Sequence, residues 1–213
     1  IPVKMQIDGG AIISETIASI PGSTSVQYTF TATANLATAG NHTIKVWVDL
    51  ASDTYRNNDT TTLSIFNAPV VAAFPYLENF ETNDGNWHAD GKKSSWQYGT
   101  PASFQINGAA CGSKAWKTNL IGNYNDQEKS YLYSPCFDIS GMTNPTLSSN
   151  VALDLEDCGA TLCDAGYVEY SADGITWAKL GTNGAGTNWY NRNYTGNHVW
   201  SIEGYTRWHV TTI

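Results

Sequence analysis

No stretch of this chain keeps an apolar period of 3.6 residues over three turns, and that absence decides its class. In its place stand short runs in which apolar and polar residues alternate. Val-Lys-Met-Gln-Ile-Asp (3–8), Val-Gln-Tyr-Thr-Phe (26–30) and His-Thr-Ile-Lys-Val-Trp-Val-Asp-Leu (42–50) are examples. Alternation with a period of two puts every second side chain on one face of a strand. Gly, Pro, Asn and Asp punctuate the runs, as Gly9-Gly10, Pro21-Gly22 and Ala39-Gly40-Asn41 do. Eight Trp and 12 Tyr in 213 residues add strand-forming aromatics. The expected fold is all-β.

The chain carries 11 Lys and Arg against 19 Asp and Glu, a formal net charge of -8. A phosphate backbone needs a basic footprint, so nucleic acid is excluded as an expected partner. No apolar run approaches the roughly 20 residues that span a bilayer, so no membrane insertion is expected. No signal peptide lies within the sequence.

Residues 165–181 hold the sharpest local signal. Tyr167, Val168 and Tyr170 are strand formers, as are Ile175, Thr176 and Trp177, with Asp173-Gly174 between them. Asp-Gly suits the positive φ angles of a type I′ turn, which predicts a tight hairpin. Residues 1–68 read as one small all-β unit with strands at 3–8, 11–17, 26–30, 42–50 and 60–66. Such spacing suggests an immunoglobulin-like sandwich. Residues 69–75 contain two prolines and no charge and read as a short, semi-rigid linker. Residues 76–213 form a second unit, opening with a strand at 76–81 and closing with one at 207–213.

Four cysteines allow three pairings. Cys111–Cys136 and Cys158–Cys163 are the expected disulfides, the second closing the loop 159–162. Zinc is the rival reading, but the paired C-x₂-C spacing is absent and no His sits nearby. No catalytic set stands out. His42, His88, His198 and His209 are isolated along the chain, and no H-E-x-x-H, G-x-S-x-G or P-loop is present. The carboxylates Glu156 and Asp157 read as solvated loop acids. The chain is therefore expected to be no enzyme. Trp189, Tyr190 and Tyr194 fall in a Gly- and Asn-rich stretch and are expected to be exposed, where such rings can stack on sugars. Core filling is the alternative for any of these aromatics.

Two resemblances follow from residues already quoted. Gly-x-His-Thr-Ile-x-Val-Trp-Val followed by Asp-x-x-x-Asn-Asn-Asp-Thr resembles the final hairpin of CARDB-like sandwich domains, which are bacterial adhesion and spacer modules. From residue 76 onward comes a series of Glu-Asn-Phe-Glu, Trp-x-x-Gly-Thr-Pro, Ala-Trp-x-Thr-Asn-Leu, Tyr-Leu-x-Ser-Pro-Cys-Phe-Asp and Glu-Tyr-Ser-x-Asp-Gly. It is similar to the MAM-like, cleaved-adhesin jelly rolls of bacteria that use type IX secretion. These resemblances imply an immunoglobulin-like sandwich followed by a concanavalin-like jelly roll. They imply a non-catalytic segment of a large extracellular, cell-surface protein that serves in adhesion or spacing. An accessory carbohydrate- or substrate-binding region of a secreted hydrolase is the alternative. The implied partners are an extracellular glycan or protein, or neighbouring domains and chains of the same assembly.

The resemblance also implies calcium, with Phe80-Glu81 supplying one ligand and Asp84 and Asp164 as further candidates. Calcium takes about six to eight oxygen ligands, which loop carboxylates and carbonyls can provide. Asp59-Thr60-Thr61 is similar to the O-glycosylation acceptor of the same bacteria, which makes Thr60 a candidate. The first family usually carries further strands before the point matched by residue 1, and the second usually carries further strands after the point matched by residue 213. Val168, Tyr170, Ile175, Trp177, Trp200 and Trp208 are accordingly expected to need a partner face, from more of the same polypeptide or from another chain by strand addition.

Overall fold

In a computed structural model, which describes residues 1–201 and 205–213, the chain is all-β and has no α-helix among the described residues. It divides into two compact units, Ile1–Val70 and Val71–Ile213.

The first unit is one antiparallel sheet. Strands β1 (Pro2–Ile7), β2 (Ile13–Thr16), β3 (Gly40–Val48) and β4 (Thr60–Asn67) lie in the order β2-β1-β3-β4. A short 3₁₀ turn, Arg56–Asn58, leads into β4. The register pairs Val3 with Val48, Met5 with Val46, and Val46 with Thr61. Directly opposed residues share a face, so Val3, Met5, Val46, Val48 and Thr61 line one side. Val3 and Met5 are buried there. Alternation in the sequence thus becomes burial in the sheet.

Residues 26–30, expected as a strand, join no ladder. Glu15 holds this region through side chains instead. Its carboxylate accepts the Tyr28 hydroxyl at 2.6 Å, the Thr31 amide at 3.0 Å and the Thr31 hydroxyl at 2.8 Å. Those donors, Tyr28 first, pull the Glu15 carboxyl down to about 2.

Val71 opens the second unit, its carbonyl accepting the Asp138 amide at 2.9 Å. The Phe74 ring lies 6.5 Å from that of Phe137, so part of the Pro-containing joint packs within this unit. After β5 (Val70–Val71) the strands are β6 (His88–Lys92), β7 (Trp96–Gly99), β8 (Ala115–Thr118), β9 (Lys129–Tyr133) and β10 (Cys136–Phe137). They continue with β11 (Ser148–Leu153), β12 (Glu169–Tyr170), β13 (Ala178–Lys179), β14 (Arg192–Tyr194), β15 (Asn197–Val199) and β16 (Tyr205–Thr212). They pair two by two, as β6-β9, β7-β8, β11-β16, β12-β13 and β14-β15.

The expected strand at 76–81 is absent. Phe80 sits at φ +62, which a strand cannot hold, and the Glu78 carboxylate accepts the Phe80 amide at 2.7 Å. The 165–181 hairpin forms, with Glu169 opposite Lys179 and Tyr170 opposite Ala178, but its turn is wider than a type I′ turn. Only Gly174 of the Asp-Gly pair takes a positive φ. The Asp173 carboxylate instead accepts the Ile175 and Thr176 amides at 2.8 and 2.7 Å, which lowers its pKa strongly. Ile175 and Thr176 are thereby loop residues, and Ile175 is exposed.

Trp189, Tyr190 and Trp200 form the core of this unit, with Val151, Leu153, Val168, Leu180 and Ile213 packed against them. The Trp200 ring lies 5.2 Å from Trp189 and 4.8 Å from Tyr190. Such rings bury more apolar area than any other side chains. Trp200 therefore finds its partner face within the chain, and β16 finds β11.

Candidate binding face of the second unit

The β6-β9 ladder opposes His88 to Tyr133 and Asp90 to Tyr131. Opposed residues and residues two apart share a face, so all four side chains point the same way. The β12-β13 hairpin opposes Glu169 to Lys179, with Tyr167 two residues before the first and Trp177 two before the second. The two sets meet. His88 stacks on Tyr133 at 4.8 Å between ring centroids, and Tyr131 lies 6.0 Å from Tyr133. Trp177 approaches Tyr133 edge-on at 5.5 Å. The Lys179 ammonium sits 4.1 Å over the Tyr167 ring, close enough for cation–π attraction.

Electrostatics tie the same residues together. Burial raises the Tyr133 phenol, and the charges of Asp90 and Glu169 push the same way. Tyr167 is raised by burial first and by Glu169 after it. Burial lowers His88 and Lys179, each opposed by a carboxylate, Asp90 and Glu169 respectively. Trp177 and Tyr167 are each 42 % exposed. The result is a part-exposed aromatic surface flanked by two carboxylates and an ammonium. Ring faces of this kind suit the C–H faces of a pyranose, and the flanking charged groups suit its hydroxyls.

The residues expected to bind ligand lie elsewhere. Trp189 is fully buried and Tyr190 is 4 % exposed. Their polar atoms are spent internally, Trp189 Nε1 and the Tyr190 hydroxyl donating to the Leu180 carbonyl at 3.0 and 2.8 Å. Asn188 and Tyr190 both take positive φ, which swings two adjacent rings to the same side where a regular strand would part them. The expectation that this pair is exposed is therefore corrected. Tyr194 is half-buried on β14 under the Arg192 guanidinium, 5.3 Å from its ring.

Each of the three acids expected around calcium accepts hydrogen bonds from its own nearby donors. Glu81 accepts the Ser113 and Lys114 amides at 2.9 and 2.8 Å and the Ser113 hydroxyl at 3.0 Å. The Lys114 and Ser113 amides are the main cause of its lowered pKa. Asp84 accepts the Asn86 amide at 2.9 Å, and Asp164 the Tyr124 hydroxyl at 2.5 Å. Among the described residues, the group close enough to share an ion is Glu156, Cys158 and Cys163. Its two sulfurs are bonded to each other, so it offers no thiolate.

The disulfide Cys158–Cys163 forms, with 5.9 Å between Cα atoms. The expected Cys111–Cys136 bond does not. Both thiols are free and exposed. Cys111 lies in the loop clamped to Glu81, and Cys136 lies in β10. Thr60 is exposed at the start of β4, opposite Trp47.

His88, Tyr131, Tyr133, Tyr167 and Lys179 are functional candidates that the sequence did not single out. The spacing Tyr131-x-Tyr133 and Trp177-x-Lys179 marks each pair as sharing a face. Nothing in the sequence marks the two faces as neighbours. Among the described residues, no helix is long and apolar enough to cross a membrane.

No family model matches the chain, and no solved structure matches it. A segment of 116 residues, 54% of the chain, is 33% identical to Bacillopeptidase F of Bacillus subtilis strain 168. The match covers 8% of that protein's length, so the matching segment spans a small part of it.

Proposed function

We propose that this chain is a non-catalytic accessory region of a larger secreted bacterial protein, and that it holds a polysaccharide against the aromatic face of its second unit. The observation that carries this reading is the run His88–Tyr133–Trp177, with Tyr131 and Tyr167 beside it and Asp90, Glu169 and Lys179 at its rim. The partial likeness to a peptidase supports the accessory role, since the match touches a small fraction of that protein. Calcium plays no part in this reading. Adhesion or spacing at the cell surface is the second reading, and it rests on the CARDB-like and MAM-like motifs.

The test is a panel of soluble glycans and insoluble polysaccharides, read by affinity electrophoresis and pull-down. Trp177→Ala and Tyr133→Ala are expected to weaken binding at least about fivefold, or ~1 kcal/mol for each lost ring contact. Retention of full affinity by both variants, or binding of the panel by neither variant nor parent, rules the glycan reading out.

A further inference from the structure

The first unit contains a cleft of about 270 Å³ between one face of its sheet and the segment carrying Tyr28 and Phe30. Val3, Val46, Val48 and Phe30 make its apolar wall, and Asp59 lines it as well. The Asp59 side chain is only 10% exposed. Its Oδ2 is buried and accepts no hydrogen bond. The nearest cation, Arg56, stands at 3.5 Å and divides itself between Asp59 and Asp49, also at 3.5 Å. That separation exceeds a good N–H···O bond. Lys4 is already engaged by Asp49. A buried carboxylate oxygen without a donor is costly and calls for an explanation.

We propose that this cleft receives an arginine side chain from a partner polypeptide. The aliphatic stem lies along Val3, Val46 and Val48, and the guanidinium supplies Asp59 with the donors it lacks. The rings of Tyr28 and Phe30, 5.5 Å apart and edge-on, stand where a guanidinium can also meet an aromatic face. The cleft wall is prearranged, because Glu15 fixes Tyr28 by its hydroxyl and Thr31 by its amide. Binding therefore costs little ordering of the receptor. This site is independent of the aromatic face of the second unit.

The probe is Nα-acetyl-arginine methylamide, added to the whole chain and followed by amide and methyl NMR shifts. Its neutral isostere, the matching citrulline derivative, is the control. Shifts are expected at Val3, Val46, Val48 and Thr61 with the arginine probe. The citrulline probe is expected to bind about tenfold more weakly, as is arginine to Asp59→Asn, since each lacks one charge-assisted contact. Equal binding of both probes to the unchanged chain overturns the proposal, and so does the absence of shifts at these residues. Citrulline needs no substitution, so the test survives a variant that fails to fold. If agmatine binds where the blocked arginine does not, the occupant is a free amine and the polypeptide partner is wrong.

Discussion

His42 Nδ1 lies 2.7 Å from Asp8 Oδ2, and Nε2 of the same ring lies 2.6 Å from the Thr38 carbonyl oxygen. A carboxylate and a carbonyl both accept, so this geometry favours the doubly protonated ring, the imidazolium. The Asp8 bond is the leading cause of the raised His42 pKa, and the Thr38 carbonyl is next. The pair joins the turn after β1 to the start of β3. Asp8 Oδ1 reinforces the junction by accepting the Thr43 amide at 2.7 Å.

This junction makes the first unit pH-sensitive. The folded pKa of His42 lies above the ordinary value of about 6.5, so its contribution is complete below that pH and disappears as pH climbs through the folded value. Asp8 has a lowered pKa, so its share is present above about 3.9 and is lost as pH falls through its folded value. Melting temperature is expected to decline as pH rises above about 6.5, and His42→Gln to flatten that decline. A parent profile with no such decline, or a variant as pH-sensitive as the parent, would contradict the charged pair.

Glu81 is expected to order the 111–114 loop. A Cβ added at Gly112 would sit 2.3 Å from Glu81 Cδ, and Gly112 already takes φ +70. Glu81→Ala should speed hydrogen exchange at the Ser113 and Lys114 amides, which lose their acceptor. Gly112→Ala should do the same by displacing the carboxylate. Unchanged exchange in both variants would mean that the loop is held by something else.

Trp200→Ala removes the ring that contacts both Trp189 and Tyr190. Its cost is expected near 3–5 kcal/mol by urea unfolding, as for other buried aromatic truncations. Trp177→Ala, at the part-exposed face, should fall within roughly 1 kcal/mol of the parent. Equal costs would move Trp177 into the core and take the binding face with it.

Alkylation of the native, non-reduced chain should label Cys111 and Cys136 and spare Cys158 and Cys163 until a reductant is added. A peptide linking 111 to 136 in a non-reduced digest would overturn the free-thiol assignment.

The all-β class was legible because alternation is a local property. Val3, Met5, Val46 and Val48 announce a shared apolar face within their own strands, and the sheet buries Val3 and Met5 there and half-buries Val46 and Val48. The small loop closed by Cys158 and Cys163 was legible for the same reason, with five residues of separation. Tertiary structure decided what depends on distant partners. Glu81 reads in sequence as a strand-end acid, and its hydrogen bonds to Ser113 and Lys114, more than thirty residues later, come only with the fold. Trp189 and Tyr190 sit in a stretch that reads as a loop, and positive φ at Asn188 and Tyr190 turns them inward. The β11-β16 ladder joins Ser148 to Thr212, and the aromatic face joins residues 88, 131, 133, 167 and 177. Period and turn chemistry are set by neighbours in the chain. Which face a strand presents to which other strand is set by long-range packing, and that information is carried by no single window of sequence.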